Sequence, residues 1–222
     1  VRRTALEQVA GFDEHIFMYC EDVDLSWRLR ACGWSLIYVP KARVTHFCYQ
    51  NGAPKLSEYA GSFYGNLLLR YKYGSFRDIW NGHKMYLNAL MHPMHFDGVR
   101  RVFLKNYLKH FLQMWPFLFW RFQNKDLWKA HTARFDGGFS PDRGMHPLPL
   151  LERTDKPLVS IIVRTCGRPE VLRGALCSLR NQTWDNLEIL VAEDGEPASK
   201  EMLEREFQDL RIVYCNDGRR HG

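Results

Sequence analysis

Three carboxylates lie within four residues near the start of the chain, at Glu21, Asp22 and Asp24. Leu25 and Leu29 follow one helical turn apart, so the sequence predicts an amphipathic helix whose first turn is acidic. Carboxylates are stabilised at the N-terminus of a helix by its free N–H groups and by the macrodipole. One interpretation is therefore the first turn of a solvated surface helix.

The other interpretation of this cluster is a catalytic carboxylate. Apolar and aromatic residues at 17–19 come directly before it and would partly desolvate it. Burial and crowded like charges raise carboxyl pKa values, which is how a general base is adjusted to its task. The spacing thus predicts either a helix start or a base for proton abstraction.

A second set of polar residues follows two predicted strands near the end of the chain. The β-branched run at 158–163 leads to Thr165, and the run at 187–192 ends in Glu193, Asp194 and a glycine. Amphipathic helices alternate with these runs and with a third strand at 211–215. This order predicts an open parallel β-α-β-α-β sheet, which binds ligands beyond the C-terminal ends of its strands.

Both sets of residues resemble family 2 glycosyltransferases of the GT-A fold, especially rhamnosyltransferase-like members. The N-terminal set resembles the C-terminal half of the family's nucleotide-binding region, and residues 157–222 resemble its N-terminal half. The resemblance implies an α/β class made of partial GT-A (nucleotide-diphospho-sugar transferase, Rossmann-like) domains joined by a helical region. The residues that carry it are GFDE (11–14), EDVDL (21–25), Arg28, Gly33-Trp34, Thr165, Gln182-Thr183 and Glu193-Asp194-Gly195.

The resemblance implies roles for the acidic segment. Asp22 matches the catalytic base of the family, with Glu21 and Asp24 beside it in the catalytic group. Arg28 would anchor the acidic loop or bind a phosphate of the nucleotide sugar. A plain ion pair between Arg28 and Asp24, one helical turn apart, is the alternative.

The resemblance also implies a nucleotide site at the strand ends. Thr165 and Asp194 would contact the nucleotide with Glu193 beside them, since an Asp can accept hydrogen bonds from a uracil imide or a ribose hydroxyl. A plain turn after the strand is the alternative for Asp194. The loop departs from the family, because Arg164 replaces the usual Pro and Cys166-Gly167 the usual Tyr-Asn, so the base is not predicted.

A divalent cation, Mn²⁺ or Mg²⁺, is the cofactor that the resemblance implies. His46 ends a predicted extended run at 42–47, which follows another at 35–39. In the resembled family a histidine placed like this contacts the metal or the diphosphate, and neutral imidazole is a competent ligand for Mn²⁺. A partly exposed surface histidine is the alternative.

The two halves come in reversed order, since the half that carries the base precedes the half that binds the nucleotide. We expect an excerpt from two tandem GT-A domains, with one permuted domain as the alternative. Residues 1–75 would end the first domain, 76–135 would form a helical, aromatic-rich connection, 136–156 a Pro/Gly linker, and 157–222 would begin the second domain. The chain alone would then be catalytically incomplete.

The connecting region contains a basic amphipathic helix. Phe103, Tyr107, Phe111 and Trp115 recur every four residues, and Pro116 is predicted to end or kink the helix, with a second helix over 117–128. A helix packed between two domains is the favoured interpretation. Contact with a membrane surface, where aromatic and cationic residues suit the headgroup region, is the alternative.

Composition bounds the remaining possibilities. With 222 residues, 45% hydrophobic content and a formal charge of +6, the chain is expected to be globular with anionic partners. No nucleic-acid-binding module, transmembrane segment or secretion signal is recognised, and the six cysteines are expected to be reduced in a cytoplasmic protein.

The sequence therefore predicts an inverting, metal-dependent glycosyltransferase of bacterial surface polysaccharide (O-antigen or capsule) synthesis. Its partners would be a nucleotide-diphosphate sugar donor and a saccharide or lipid-linked saccharide acceptor. Peripheral contact with the inner face of the plasma membrane is the alternative to an enzyme that is free in the cytoplasm. The rival class is a non-catalytic basic scaffold or membrane-surface binding module.

Overall fold

The computed structural model describes residues 1–16, 19–37, 55–94, 96–125 and 155–220. The chain falls into two compact units, an N-terminal unit of residues 1–148 and a C-terminal unit of residues 149–222. The predicted linker at 136–156 lies almost entirely outside the described residues, as does His46.

Two short helices open the N-terminal unit. Helix α1 spans Arg3–Gln8 and helix α2 spans Glu21–Ala31, with the three acidic residues in its first turn. They share a small apolar cluster that includes Val9, Leu25 and Leu29. The predicted helix with an acidic first turn is confirmed as α2. Of the two predicted extended runs, residues 35–37 are in neither helix nor strand, and the remainder lies outside the described residues.

Three longer helices carry the main core of this unit: α3 (Leu56–Tyr73), α4 (Phe76–Met91) and α5 (Val99–Gln123). The start of α4 is fixed by a capping box, in which Ser75 and Asp78 satisfy each other's backbone N–H groups. Leu67, Tyr86 and Phe103, one from each helix, are fully buried in a shared cluster. Residues from both sides of the domain boundary predicted at position 75 therefore contribute to one core.

Helix α5 continues through Pro116, so of the two predicted alternatives, a helix end or a kink, the helix end is wrong, and so is the separate helix predicted over 117–128. Proline lacks the N–H that would bond to the carbonyl of Leu112. Leu112 is 78% exposed, so water can hydrate the freed carbonyl. The proline therefore lies on the side of the helix where it costs least.

The C-terminal unit alternates strands and helices: β1 (Val159–Thr165), α6 (Pro169–Arg180), β2 (Leu187–Glu193), α7 (Lys200–Glu206) and β3 (Ile212–Cys215). The sheet is parallel in the order β1-β2-β3, which confirms the predicted β-α-β-α-β arrangement and the α/β class. Its register pairs Thr165 with Glu193 and Ala192 with Cys215, so the strand ends that carry the predicted site lie at one edge. Leu176 and Val191 are at the centre of the core beneath them.

No helix in the described part of the chain combines the length and apolarity that crossing a bilayer would require. The cysteines in the same ranges are free: Cys20, Cys32, Cys166, Cys177 and Cys215.

Candidate active site

Asp22 is the exposed carboxylate of the acidic segment. It lies in the first turn of α2, where its Oδ1 accepts a hydrogen bond of 2.8 Å from the backbone N–H of Val23. Glu21 is half-buried, and its Oε2 is buried without a hydrogen-bond partner among the described residues. Asp22 therefore keeps an oxygen available to a ligand at the surface, next to a second carboxylate that is largely withdrawn from water.

The turn that delivers these acids has an unusual backbone. Tyr19 and Cys20, which directly precede α2, have φ of 67° and 69°, in the left-handed region that non-glycine residues rarely adopt. Conformations of this kind cost on the order of 1–3 kcal/mol each and persist where surrounding contacts enforce them. The burial of Cys20, together with the negative charges of Asp22 and Glu21, raises the pKa of its thiol to about 11.

Two glycines of α3 allow this turn to pack closely against the helix. A Cβ added at Gly65 would lie 2.7 Å from the carbonyl oxygen of Tyr19, and one added at Gly61 would lie 2.4 Å from the Tyr19 ring. Four-residue spacing places both glycines on one face of α3. The pair forms a shallow notch that holds the turn against α3 and thereby fixes where α2 begins.

Asp24 lies on the opposite side of α2 from Asp22 and is completely buried. One of its oxygens accepts hydrogen bonds from Lys72 (2.6 Å) and from the hydroxyl of Tyr73 (2.7 Å), and the other accepts one from Arg28 (2.8 Å). Because both oxygens accept hydrogen bonds from buried side chains, Asp24 fixes the position of α2 and is not available to contact a substrate. Arg28 also donates to the carbonyl of Val9 at 2.5 Å, so its geometry matches the ion-pair interpretation.

Lys72 extends this network to a second carboxylate. Its Nζ lies 2.7 Å from Asp13 Oδ2 and 4.6 Å from the centre of the Trp120 ring. Burial alone would raise the pKa of Asp13, but the hydrogen bond and charge of Lys72, together with hydrogen bonding to His15, outweigh that effect and hold the pKa at about 2. Two carboxylates and two cations, from α2, α3 and the segment before them, thus neutralise one another inside the unit. Ion pairing of this kind is what permits charges to be buried.

In the C-terminal unit, the Glu193 side chain links the segment between β2 and α7 to strand β3. It is buried and accepts hydrogen bonds from the N–H (2.9 Å) and hydroxyl (2.8 Å) of Ser199 and from the hydroxyl of Tyr214 (2.8 Å). Burial, followed by the hydrogen bond and charge of Glu193, raises the pKa of Tyr214. Thr165 is buried too, and its carbonyl accepts a 2.8 Å hydrogen bond from the N–H of Asp194.

Asp194 borders a cavity of about 400 Å³ beyond the strand ends. The side-chain amide of Asn216 donates to the carbonyls of Glu193 and Gly195, each at 2.8 Å, and so fixes the position of Gly195, one of the lining residues. A carboxylate and a guanidinium from neighbouring loops thus share one cavity, which could accept hydroxyls or imide groups on one side and phosphate on the other. The lining residues are Cys166, Gly167, Asp194, Gly195, Glu196, Ala198, Gly218 and Arg220.

Sequence reasoning missed several residues that position these sites. Asp13 and Lys72 are far apart in the chain and gave no local signal for their pairing. Gly61 and Gly65 did carry one, since two glycines at helical spacing permit a close approach. His46 lies outside the described residues, and the described part of the chain contains no group of three or more His, Cys, Asp or Glu side chains that could hold a metal ion. The expected cation is therefore assigned to no residue.

Comparison with known proteins supports the glycosyltransferase class. Residues 160–222 match the sequence profile of Glycosyl transferase family 2. This match includes the strand ends and the cavity described above. No solved structure gives a significant match.

Rhamnosyltransferases from two bacteria match shorter stretches of the chain. A stretch of 46 residues is 61% identical to N-acetylglucosaminyl-diphospho-decaprenol L-rhamnosyltransferase of Mycobacterium tuberculosis, in strains CDC 1551 / Oshkosh and ATCC 25618 / H37Rv, and covers 21% of this chain and 15% of each relative. A stretch of 51 residues is 43% identical to Rhamnosyltransferase WbbL of Escherichia coli strain K12, covering 23% of this chain and 19% of the relative. The chain thus matches less than a fifth of the length of these relatives. The resemblance to rhamnosyltransferase-like members of family 2 is supported, and the tandem arrangement stays a prediction.

Proposed function

We propose that this chain is part of a glycosyltransferase that moves a sugar from a nucleotide-diphosphate donor to a saccharide or lipid-linked saccharide acceptor, in bacterial surface polysaccharide synthesis. The observation that carries the proposal is the placement of Asp22: it is exposed at the start of a helix whose next acid, Asp24, is locked in the core. The match of residues 160–222 to family 2 and the names of the relatives support the same reaction class.

The chemistry proposed for Asp22 is general-base catalysis. Its carboxylate accepts the proton of an acceptor hydroxyl as that oxygen bonds to the anomeric carbon of the donor sugar. The bond from the anomeric carbon to the diphosphate oxygen breaks on the opposite face, so the configuration inverts and the nucleoside diphosphate leaves with the electron pair. Asp22 then returns the proton to water.

For the domain that the C-terminal unit begins, the donor site that we propose is the cavity beyond its strand ends, which is separate from the reaction at Asp22. Asp194 would accept hydrogen bonds from the base or ribose, and Arg220 would attract the diphosphate. Glu193 and Thr165 are buried and hydrogen-bonded, so their proposed role is to hold the loops that carry these groups. A divalent cation is an expectation from the family resemblance alone.

We further propose that the chain comes from a tandem, cytoplasmic enzyme. The motif order supports this proposal, since the segment that resembles the end of a GT-A domain precedes the segment that matches the family profile. Each half would then complete its site with residues of its own domain.

Asp22→Asn in the longest native form of the protein tests the proposal. We expect the rate of sugar transfer to fall at least about 100-fold, the usual contribution of a positioned general base, while the circular dichroism spectrum and urea midpoint stay as in the wild type. Asp97→Asn, which changes an exposed acid two residues before α5, is the matched control and should keep full activity. Unchanged transfer by Asp22→Asn would remove this residue from the mechanism.

A further inference from the structure

The outer side of α5 carries a continuous apolar stripe. Its six residues recur at three- and four-residue intervals and therefore share one face of the helix. The stripe runs for about 27 Å at the rise of an α-helix. Each member is at least half exposed, up to 78% at Leu112: Leu104, Leu108, Leu112, Trp115, Phe119 and Phe122.

Helix α4 extends this stripe sideways. Phe76 is 84% exposed, and Trp80 and Met91 are exposed on the same face of α4. A groove of about 380 Å³ joins the two helices, with Tyr107 and Phe111 of α5 on its far wall. At roughly 150–250 Å² for each large aromatic side chain, the combined α4–α5 face exceeds the few hundred Å² that a monomeric protein usually exposes as one apolar patch.

All the charged side chains of α5 are positive. This helix of 25 residues contains five basic residues and no acidic ones. Arg101, Lys105 and Lys109 are exposed beside the apolar stripe, and none of them forms an ion pair among the described residues. On α4, Lys84 lies over the ring of Trp80 at 5.8 Å from its centre. An apolar stripe edged with cations matches a surface that is both apolar and anionic.

We propose that the α4–α5 face binds the surface of a bilayer that contains anionic phospholipid. Tryptophan and phenylalanine suit the boundary between headgroups and acyl chains, and neighbouring Lys and Arg suit anionic headgroups. A second copy of the chain fits less well, since a symmetric contact through this face would oppose like charges. Because the six exposed apolar residues share one face along the length of α5, the helix would lie in the plane of the bilayer. The proposal does not depend on the sugar-transfer reaction.

Co-sedimentation of the 222-residue chain with vesicles tests this proposal. We expect binding to vesicles of equal parts phosphatidylcholine and phosphatidylglycerol, and much weaker binding to pure phosphatidylcholine. Lys105→Gln with Lys109→Gln should lower the partition coefficient about 25-fold on the anionic vesicles, since each basic residue near the surface contributes about fivefold. Lys200→Gln with Arg205→Gln removes the same charge from α7 and should leave binding within about twofold.

A second variant tests the apolar contribution. Leu112→Ser, Trp115→Ser and Phe119→Ser together should weaken binding about 100-fold, and the urea midpoint should not fall, because all three side chains are exposed. Ile37→Ser with Val171→Ser, exposed elsewhere, is the control. Failure to bind anionic vesicles, or equal binding by the triple variant, would overturn the proposal. So would a dimer, seen by light scattering, that the triple variant dissociates, since the face would then be a contact between copies.

Discussion

Replacing Gly65 with alanine perturbs the placement of the candidate base without touching it. The new Cβ would lie 2.7 Å from the carbonyl oxygen of Tyr19, 3.1 Å from Cys20 Sγ and 3.2 Å from Cys20 Cβ. The first distance is to backbone, which cannot rotate away as a side chain can. The turn must therefore move away from α3, or the helix must shift, and either movement displaces Asp22.

The magnitude follows from two opposing effects. Alanine in place of glycine inside a helix normally stabilises by about 0.5–1 kcal/mol, whereas overpacking a close contact costs about 1–3 kcal/mol. We expect Gly65→Ala to lower the free energy of unfolding by about 1–2 kcal/mol and to reduce sugar transfer. Tryptophan fluorescence in a urea titration would measure the first effect, and transfer assays on the longest native form the second.

Gly174→Ala is the matched control for this experiment. Gly174 lies inside α6, and a Cβ there would meet nothing within 4 Å. The substitution should therefore stabilise the protein by about 0.5–1 kcal/mol. If Gly65→Ala stabilises by the same amount as Gly174→Ala, the turn at Tyr19 is not held by the notch, and our account of how Asp22 is positioned is wrong.

Two further predictions concern the buried ion pairs. Lys72→Met should lower the free energy of unfolding by about 3–5 kcal/mol, because Asp13 and Asp24 would lose their shared cation; Lys105→Met, exposed on α5, should change it by less than about 0.5 kcal/mol, and equal urea midpoints for the two variants would contradict the prediction. The pKa of Asp13 is lowered from 3.8 to about 2, so its contribution is present above the unfolded pKa and is lost as pH falls through the folded one. We expect the loss of the Asp13 contribution to lower the free energy of unfolding by about 2 kcal/mol between about pH 5 and pH 2. Thermal melts at a series of pH values would measure it. If the stability of Asp13→Asn fell with pH as steeply as that of the wild type, this assignment would be refuted.

The C-terminal sheet could be predicted from the sequence because its signals are local. β-branched runs, amphipathic helices and glycine-containing turns follow one another within short distances, and parallel pairing then places Thr165, Glu193 and Asp194 at one edge. The roles of these side chains could not be predicted in the same way. Whether Glu193 faces the cavity or the loops depends on Ser199 and Tyr214, which donate to it from different elements.

The acidic segment shows the same division. An acidic helix start over residues 21–24 follows from local pattern, but assigning Asp22 to the surface and Asp24 to the core requires the position of Lys72, 48 residues further along the chain. The left-handed turn at Tyr19 and Cys20 had no local signal either, since neither is glycine. The predicted helix end at Pro116 is wrong for a related reason: the cost of proline in a helix depends on whether the freed carbonyl meets water, which is a property of the folded surface.

The double bridge of Asn216 has a consequence for binding kinetics. Its side chain links the segments at the ends of β2 and β3 through two carbonyls. The loop next to the C-terminal cavity is therefore ordered before a ligand binds. Preorganised sites lose little conformational freedom on capture. A nucleotide would then bind without a slow rearrangement of the loops. Different nucleotides would be distinguished by their dissociation rates, that is, by their residence times.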